Sequence, residues 1–206
     1  VTGGAGFIGS NFITEWFRSH DESILTLDAL TYAGNKANLR DVEHDPRHRF
    51  VEGNILDEAL VADLFDRFRP RAVVHFAAES HVDRSISGPQ VFVDTNVRGT
   101  TVLLGVAHRY WLTLDDEEKA AFRFINISTD EVYGDLPPNT EATPFDPSSP
   151  YSASKAAADQ FGRAYFRTYG LPVVTVRCTN NYGPRQYPEK LLPFMLTRAL
   201  AGKTLP

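Results

Sequence analysis

A single cysteine, Cys178, occurs in the 206 residues, so no internal disulfide is available to brace the core. That suits a reducing compartment, and a cytoplasmic location is expected. No apolar run approaches the ~18–20 residues that a membrane span needs, so no membrane partner is expected. An excess of positive charge is missing too. Lys and Arg number 21 against 26 Asp and Glu, a net charge of -5, which leaves no basic footprint for nucleic acid. The six histidines, His20, His44, His48, His75, His81 and His108, lack metal-ligand spacing, so no metal is expected. His75 sits in an apolar run and reads as a core histidine. Cys178 closes another such run and reads as packing rather than as a nucleophile. Internal repeats and low-complexity tracts are absent.

What remains is a chain with 42% hydrophobic residues, enough for a core, in which short apolar runs alternate with helical periodicity. Ser23–Asp28, Phe50–Gly53, Ala72–Ala77, Phe124–Ser128 and Pro172–Arg177 read as strands. Phe7–Ser19, Glu58–Phe68, Pro89–Tyr110 and Pro150–Tyr169 have helical period. Such alternation predicts an α/β fold with a doubly wound parallel sheet, whose ligands bind at the carboxyl ends of the strands. Asp135–Ser149 and Thr179–Pro188 are irregular and read as loops near the site. The chain opens at Val1-Thr2-Gly3, as if at the tail of a strand, and stops at Gly202–Pro206, as if in a turn. Both ends are therefore expected to belong to a longer protein. The expected division is a Rossmann-type domain over 1–178 and the start of a smaller, largely missing substrate-binding region over 179–206.

The opening Thr2-Gly3-Gly4-Ala5-Gly6-Phe7-Ile8-Gly9 spaces three glycines as G-x-x-G-x-x-G. A turn this tight needs residues without Cβ, and it delivers a pyrophosphate to the positive end of the next helix. The same glycines suit an ordinary turn. Asp28 weighs against that, because it ends the next strand about 20 residues on, where an acid takes the ribose hydroxyls of a dinucleotide. A carboxylate there repels a 2′-phosphate, so NAD is expected in preference to NADP.

Ser149-Pro150-Tyr151-Ser152-Ala153-Ser154-Lys155 reads as a helix start, with Ser149 as cap and Pro150 in the first turn. Tyr151 and Lys155 then share one face. A neighbouring ammonium and the helix N-terminus both favour a phenolate, so a lowered Tyr151 pKa is expected. Such a phenol can take a proton from a sugar hydroxyl. An amphipathic helix with a surface lysine has the same pattern. The strand end Ser128-Thr129-Asp130-Glu131 adds a hydroxyl and two acids, which fit either solvated loop charges or a second acid/base unit.

Taken together, these segments resemble the dTDP-glucose 4,6-dehydratase group of the extended short-chain dehydrogenase/reductase family. The matches run through Thr2–Gly9, Leu27–Asn35, Ala77–Asp83, Ser128–Gly134, Ser149–Lys155, Asn180–Pro184 and Pro188–Leu191. The Thr-Asp-Glu trio is the most diagnostic of them. The resemblance implies that Gly3, Gly6, Phe7, Ile8 and Gly9 line the pyrophosphate. It puts Asp28, Ala29, Leu30 and Thr31 on the adenosine ribose side, and Asn54 and Ile55 beside adenine. Ala77, Ala78, Ser80, Thr95 and Asn181 border the rest of the cofactor, and Lys155 holds the nicotinamide ribose. His81, Thr129, Asn180, Lys190 and Leu191 face the nucleotide sugar. Asn54 departs from the Asp usual in the family, and the Asp135–Ser149 loop is shorter than in some bacterial relatives.

The resemblance also implies a mechanism. Tyr151 takes the proton of the 4-hydroxyl as hydride moves from C4 to NAD, Glu131 removes the C5 proton, Asp130 assists loss of the 6-hydroxyl as water, and the hydride returns to C6, with Thr129 and Lys155 beside them. A 4-epimerase or decarboxylase would share Tyr151 and Lys155 without the Asp-Glu pair. A non-catalytic NAD-binding scaffold or sensor would be expected to lose part of the set. A homodimer through Pro89–Tyr110 and Pro150–Tyr169 is the expected assembly, with Val91, Val102, Leu103, Phe161 and Tyr165 shared between core and interface.

Overall fold

A computed structural model describes residues 1–135 and 140–205. The expected loop Asp135–Ser149 therefore lies in part, over 136–139, outside the described residues. Residue 206, at the end of the expected terminal turn, lies outside them too.

The elements follow in the order α1 (Phe7–Ser19), β1 (Ile24–Asp28), β2 (His48–Glu52), α2 (Glu58–Phe68), β3 (Ala72–His75), α3 (Val82–Ser87), α4 (Gln90–Phe92), α5 (Thr100–Leu112), α6 (Asp116–Ala121), β4 (Arg123–Thr129), α7 (Pro150–Tyr169), β5 (Val173–Cys178) and α8 (Leu191–Leu200). Short 3-10 turns cover Lys36–Val42 and Asp130–Tyr133. β1 pairs with β2, and β3 with β4 and β4 with β5, all parallel. Thr2 joins the two groups, since it bridges both Leu27 and His75 in parallel. Its N–H donates to Val74 O (3.0 Å) and its carbonyl accepts from Phe76 N (3.0 Å). The continuous order is thus β2-β1-Thr2-β3-β4-β5. Every strand points its carboxyl end to the same edge, as the alternation of strand and helix patterns requires.

Strand alternation divides the apolar residues between two faces. Leu25 and Leu27 face a cluster built with Val61, Leu64 and Phe65 of α2, Leu103 and Leu104 of α5, and Phe124 of β4. Ile24 faces the other way, toward Ala5 and Ile13 of the α1 layer and Leu39 and Val42 of the 3-10 turn. Both faces of the sheet are covered, as a doubly wound sheet demands.

Helices whose caps are written in the sequence keep their expected bounds. Asp57 accepts from Leu60 N to start α2. Ser149 and Ser152 exchange side-chain and backbone bonds in a capping box that starts α7, with Pro150 at its first position. The expected single helix Pro89–Tyr110 is different. It is α-helical at both ends but π-helical over Val93–Gly99. Widening the turn carries Asn96 inward, where its amide brackets residue 79. Oδ1 accepts from Glu79 N and Nδ2 donates to Glu79 O, both at 2.9 Å. α6 has no buried residue, and hence no apolar stripe from which to read it.

Beneath the first turn lies His75, 1% exposed. Thr100 Oγ1 spends its proton on Asn96 O (2.6 Å), so His75 Nε2 donates to Thr100 Oγ1 (3.0 Å) and Nδ1 accepts from Thr2 Oγ1 (2.7 Å). Neutral imidazole fits both bonds. Burial first, then the nearby Lys155 charge, pushes its pKa down to about 3. Because the folded value lies below the unfolded one of about 6.5, this contribution to stability is full above pH 6.5. It declines as pH falls toward 3, by up to about 1.4 kcal/mol per pH unit. Urea denaturation across that range should show a smaller acid slope for His75→Gln than for the parent. Equal slopes would contradict a neutral buried imidazole.

Candidate active site

The carboxyl ends of the strands open into a cleft of ≈ 330 Å³ lined from the glycine loop to Lys190. Gly3 has φ +69°, and a Cβ there would lie 2.4 Å from Ala77 N; one on Gly9 would lie 2.4 Å from Gly3 O. The loop can thus pack against β3 and against its own helix only without side chains. Gly6 starts α1 with no side-chain cap, and the first turn carries no acid. The leading N–H groups of α1 therefore remain available to an anion.

Asp28 lines the same end and is 8% exposed. Oδ2 accepts from Ala5 N (2.8 Å) and Oδ1 from Leu30 N (2.8 Å). The carboxylate thus braces the glycine loop, and each oxygen keeps a lone pair for a further donor. Leu30, at φ +48°, turns its side chain toward the α1 cluster instead of lining the cleft.

Across the cleft, Tyr151 and Lys155 rise from the first turns of α7, 9% and 4% exposed. Lys155 Nζ donates to Ile127 O at 2.7 Å. Burial lowers its pKa to about 8, against the opposing pull of Asp159. The expected lowering of the Tyr151 phenol is not found. Burial and then the Glu131 charge push its pKa well up, while the Thr129 hydroxyl pulls the other way. Lys155 is turned to the Ile127 carbonyl, so its charge does not offset the desolvation of the phenol.

Thr129 ends β4 and caps the 3-10 turn, accepting from Glu131 N (3.3 Å). Val132 and Tyr133, both buried, pack with Ala156 of α7 and anchor this turn beside the helix. Glu131 lies on the cleft wall, and its pKa is raised first by partial desolvation and then by Asp130. Asp130 sits one residue back, where its Oδ1 accepts from Thr129 Oγ1 (3.4 Å) rather than lining the cleft.

The remaining expected residues divide in the same way. Phe7, Ile8, Ala29, Thr31, Asn54, Ile55, Ala77, Ala78, Ser80, Thr95, Asn180, Asn181 and Lys190 all line the cleft. Lys190 Nζ donates to Ser80 O (3.1 Å) and ties the last segment to the loop that follows β3. His81 does not line it. Its Nδ1 accepts from Arg84 N (3.4 Å) at the start of α3, and Nε2 lies 3.5 Å from Glu189. Leu191 is 70% exposed at the first position of α8.

Tyr32, Glu79, Tyr187 and Glu189 line the cleft without having been expected there. Arg84 stacks over the Tyr32 ring (3.9 Å to its centre) and donates to Glu189 Oε2 (3.1 Å). Tyr32 meets Tyr187 edge-on at 5.6 Å. Tyr32 lies within the matched segment Leu27–Asn35 and Tyr187 just before Pro188–Leu191, and those places were the available signal. Among the described residues there is no group of three His, Cys, Asp or Glu suited to a metal, and no helix long and apolar enough to cross a membrane.

The family model described as GDP-mannose 4,6 dehydratase matches residues 1–206. A dTDP-glucose 4,6-dehydratase of Xanthomonas campestris is 55% identical over 100% of this chain and 59% of its own length. One from Escherichia coli is 50% identical over 100% of the chain and 60% of its own length. The chain thus spans about 60% of the curated relatives it matches. Among solved structures, the dTDP-glucose 4,6-dehydratase DesIV of Streptomyces venezuelae, with NAD bound, superposes at a TM-score of 0.89. It is 50% identical, and the match covers 100% of this chain and 62% of DesIV. A UDP-glucose 4-epimerase of Thermotoga maritima superposes at 0.86 with 30% identity, over 99% of this chain and 63% of its own.

Proposed function

The chain belongs to the family that the GDP-mannose 4,6 dehydratase model describes, and from that premise we propose that it is the NAD-binding part of a nucleotide-sugar 4,6-dehydratase acting on dTDP-glucose. The observation that carries this reading is the placing of Glu131 in one cleft with Tyr151 and Lys155. A redox tyrosine alone serves an epimerase equally well. Relatives 50% and 55% identical over the whole chain, each named dTDP-glucose 4,6-dehydratase, favour thymidine over guanosine.

The residues fit a dinucleotide. Gly3, Gly6 and Gly9 leave a cradle that a Cβ would close, and α1 starts without a cap of its own. Gly6, Phe7 and Ile8 would hold the pyrophosphate, and Asp28, Ala29 and Thr31 the adenosine ribose. Asn54 and Ile55 would border adenine. Ala77, Ala78, Ser80, Thr95 and Asn181 would flank the other half, with Lys155 on its ribose. When bound, NAD supplies a reversible hydride acceptor.

Tyr151 would receive the proton of the sugar 4-hydroxyl as phenolate, the form that burial disfavours in the cofactor-free cleft and that a nearby positive charge would favour, with the Thr129 hydroxyl holding that oxygen. A 4-ketone then acidifies C5–H. Glu131 takes the C5 proton, a task its raised pKa suits because the base is drawn toward neutral pH. Asp130, one residue back on the turn, would swing toward the cleft to give a proton to the departing 6-hydroxyl, and the hydride would then return to C6 and a proton to C5, so that NAD is regenerated. Asn180 and Lys190 hold the nucleotide sugar from the segment that closes over the cleft. His81 and Leu191 lie at the edge of that segment, so we place them as supports for it.

We assign the assembly as a homodimer in a reducing cytoplasm. α5 and α7 pack together, and Leu112, Phe161, Phe166 and Tyr169 on them stay exposed. Light scattering of the full-length protein should give twice the subunit mass, and a monomer would refute the pairing. Titration should give tighter binding of NAD than NADP, with Asp28→Ser narrowing the difference; equal affinities in the parent would overturn the role of Asp28.

The two halves of the chemistry should separate by substitution. With dTDP-glucose, full-length Tyr151→Phe should form no reduced nicotinamide even in one turnover. Glu131→Gln should still oxidise C4, but its exchange of C5–H with heavy water should fall by about 10²–10⁴-fold. Asp130→Asn should keep that exchange while water loss collapses. Normal exchange and elimination in Glu131→Gln would remove the main support for a dehydratase.

A further inference from the structure

Helix α7 carries a second buried charge beyond Lys155. Asp159 lies one turn further along the same face and is 3% exposed. A carboxylate so deep requires partners. Oδ1 accepts from Asn126 Nδ2 of β4 (3.0 Å), and Oδ2 accepts from Arg177 Nε of β5 (2.8 Å). Arg177 continues outward. Its Nη1 donates to Tyr133 Oη (2.9 Å), and its guanidinium lies 5.3 Å and 4.9 Å from the ring centres of Tyr133 and Phe145. The pair thus links the Lys155 helix to the turn that carries Asp130 and Glu131.

Several groups face Lys155. Asp159 does so from its own helix, Cys178 from β5 and His75 from β3, and its ammonium is bonded to the Ile127 carbonyl. His75 is held neutral by burial. Asp159 is the carboxylate in this group, and Arg177 shares it.

We propose that Asp159 is a positioning residue that keeps the Lys155 ammonium charged in the floor of the cleft, with Arg177 competing for the same carboxylate. Its consequence for catalysis rests on the role given to Lys155 above; the coupling itself does not. Removing the carboxylate leaves the buried Lys155 and the half-buried Arg177 unopposed, so Lys155 loses its proton more readily. Removing Arg177 gives Lys155 sole use of a carboxylate that is ionised at the alkaline pH where lysine titrates, so the proton is held longer.

The test is competitive labelling of Lys155 with acetic anhydride across pH in the cofactor-free full-length protein, read by peptide mass spectrometry. The labelling midpoint should fall by about one pH unit in Asp159→Asn and rise in Arg177→Gln, since an opposite charge at this range moves a pKa by about 1–3 units. Asp159→Glu should keep the parent midpoint. A folded Asp159→Asn protein with an unchanged midpoint, or shifts of the same sign in both variants, overturns the proposal. If Asp159→Asn does not fold, Arg177→Gln decides, and an unchanged or lowered midpoint there overturns it. The alkaline limb of kcat/KM should move with the labelling midpoint. Labelling shifts without a matching activity shift leave the coupling standing and remove the catalytic role assigned to Lys155.

Discussion

Lys155 brings an ammonium into the floor of the cleft at 4% exposure, and burial works against its charge. The surrounding structure answers with a carbonyl at 2.7 Å from Ile127 and with Asp159 one turn away. The first, and the bond from Asn126 that holds Asp159, depend on β4 and α7 lying side by side. The same contact brings Tyr151 beside the end of β4, where Thr129 and the acid turn begin. Val132 and Tyr133 lock that turn against α7. One packing relation therefore supplies the charge, the phenol and the carboxylates.

Much of this was legible because it is local. Ser149-Pro150 before Tyr151 satisfies a helix end within three residues, so α7 begins where the cap puts it. The glycine loop and Asp28 were legible by spacing. What was not legible is set by distant partners. The π-helical Val93–Gly99 has the apolar spacing of an ordinary helix, and its widening depends on Asn96 meeting the backbone of Glu79. Both Asp28 oxygens also serve Ala5 and Leu30 N–H groups, a bracing duty that strand-end spacing does not reveal. His81 sits among matched residues, yet the start of α3 takes its Nδ1. The raised Tyr151 pKa follows from burial that only the assembled fold creates.

The fold by itself does not choose among reactions. A UDP-glucose 4-epimerase superposes nearly as well as a dehydratase, at TM-scores of 0.86 and 0.89, but at 30% against 50% identity. In the proposed function the discrimination lies in the carboxylate of Glu131, whose charge adds to burial in raising the Tyr151 pKa. An epimerase that only removes and returns hydride at C4 has no use for a base at that place. An elimination between C5 and C6 needs one.

In the proposed reaction, hydride taken from C4 is delivered to C6 after water is lost. The most direct test of this transfer is dTDP-glucose carrying deuterium at C4, incubated with the full-length protein in ordinary water and followed by mass spectrometry and NMR. The account predicts a product lighter by one water, with the deuterium on C6. Deuterium that returns to C4 with the mass unchanged would mean epimerisation, and would contradict it.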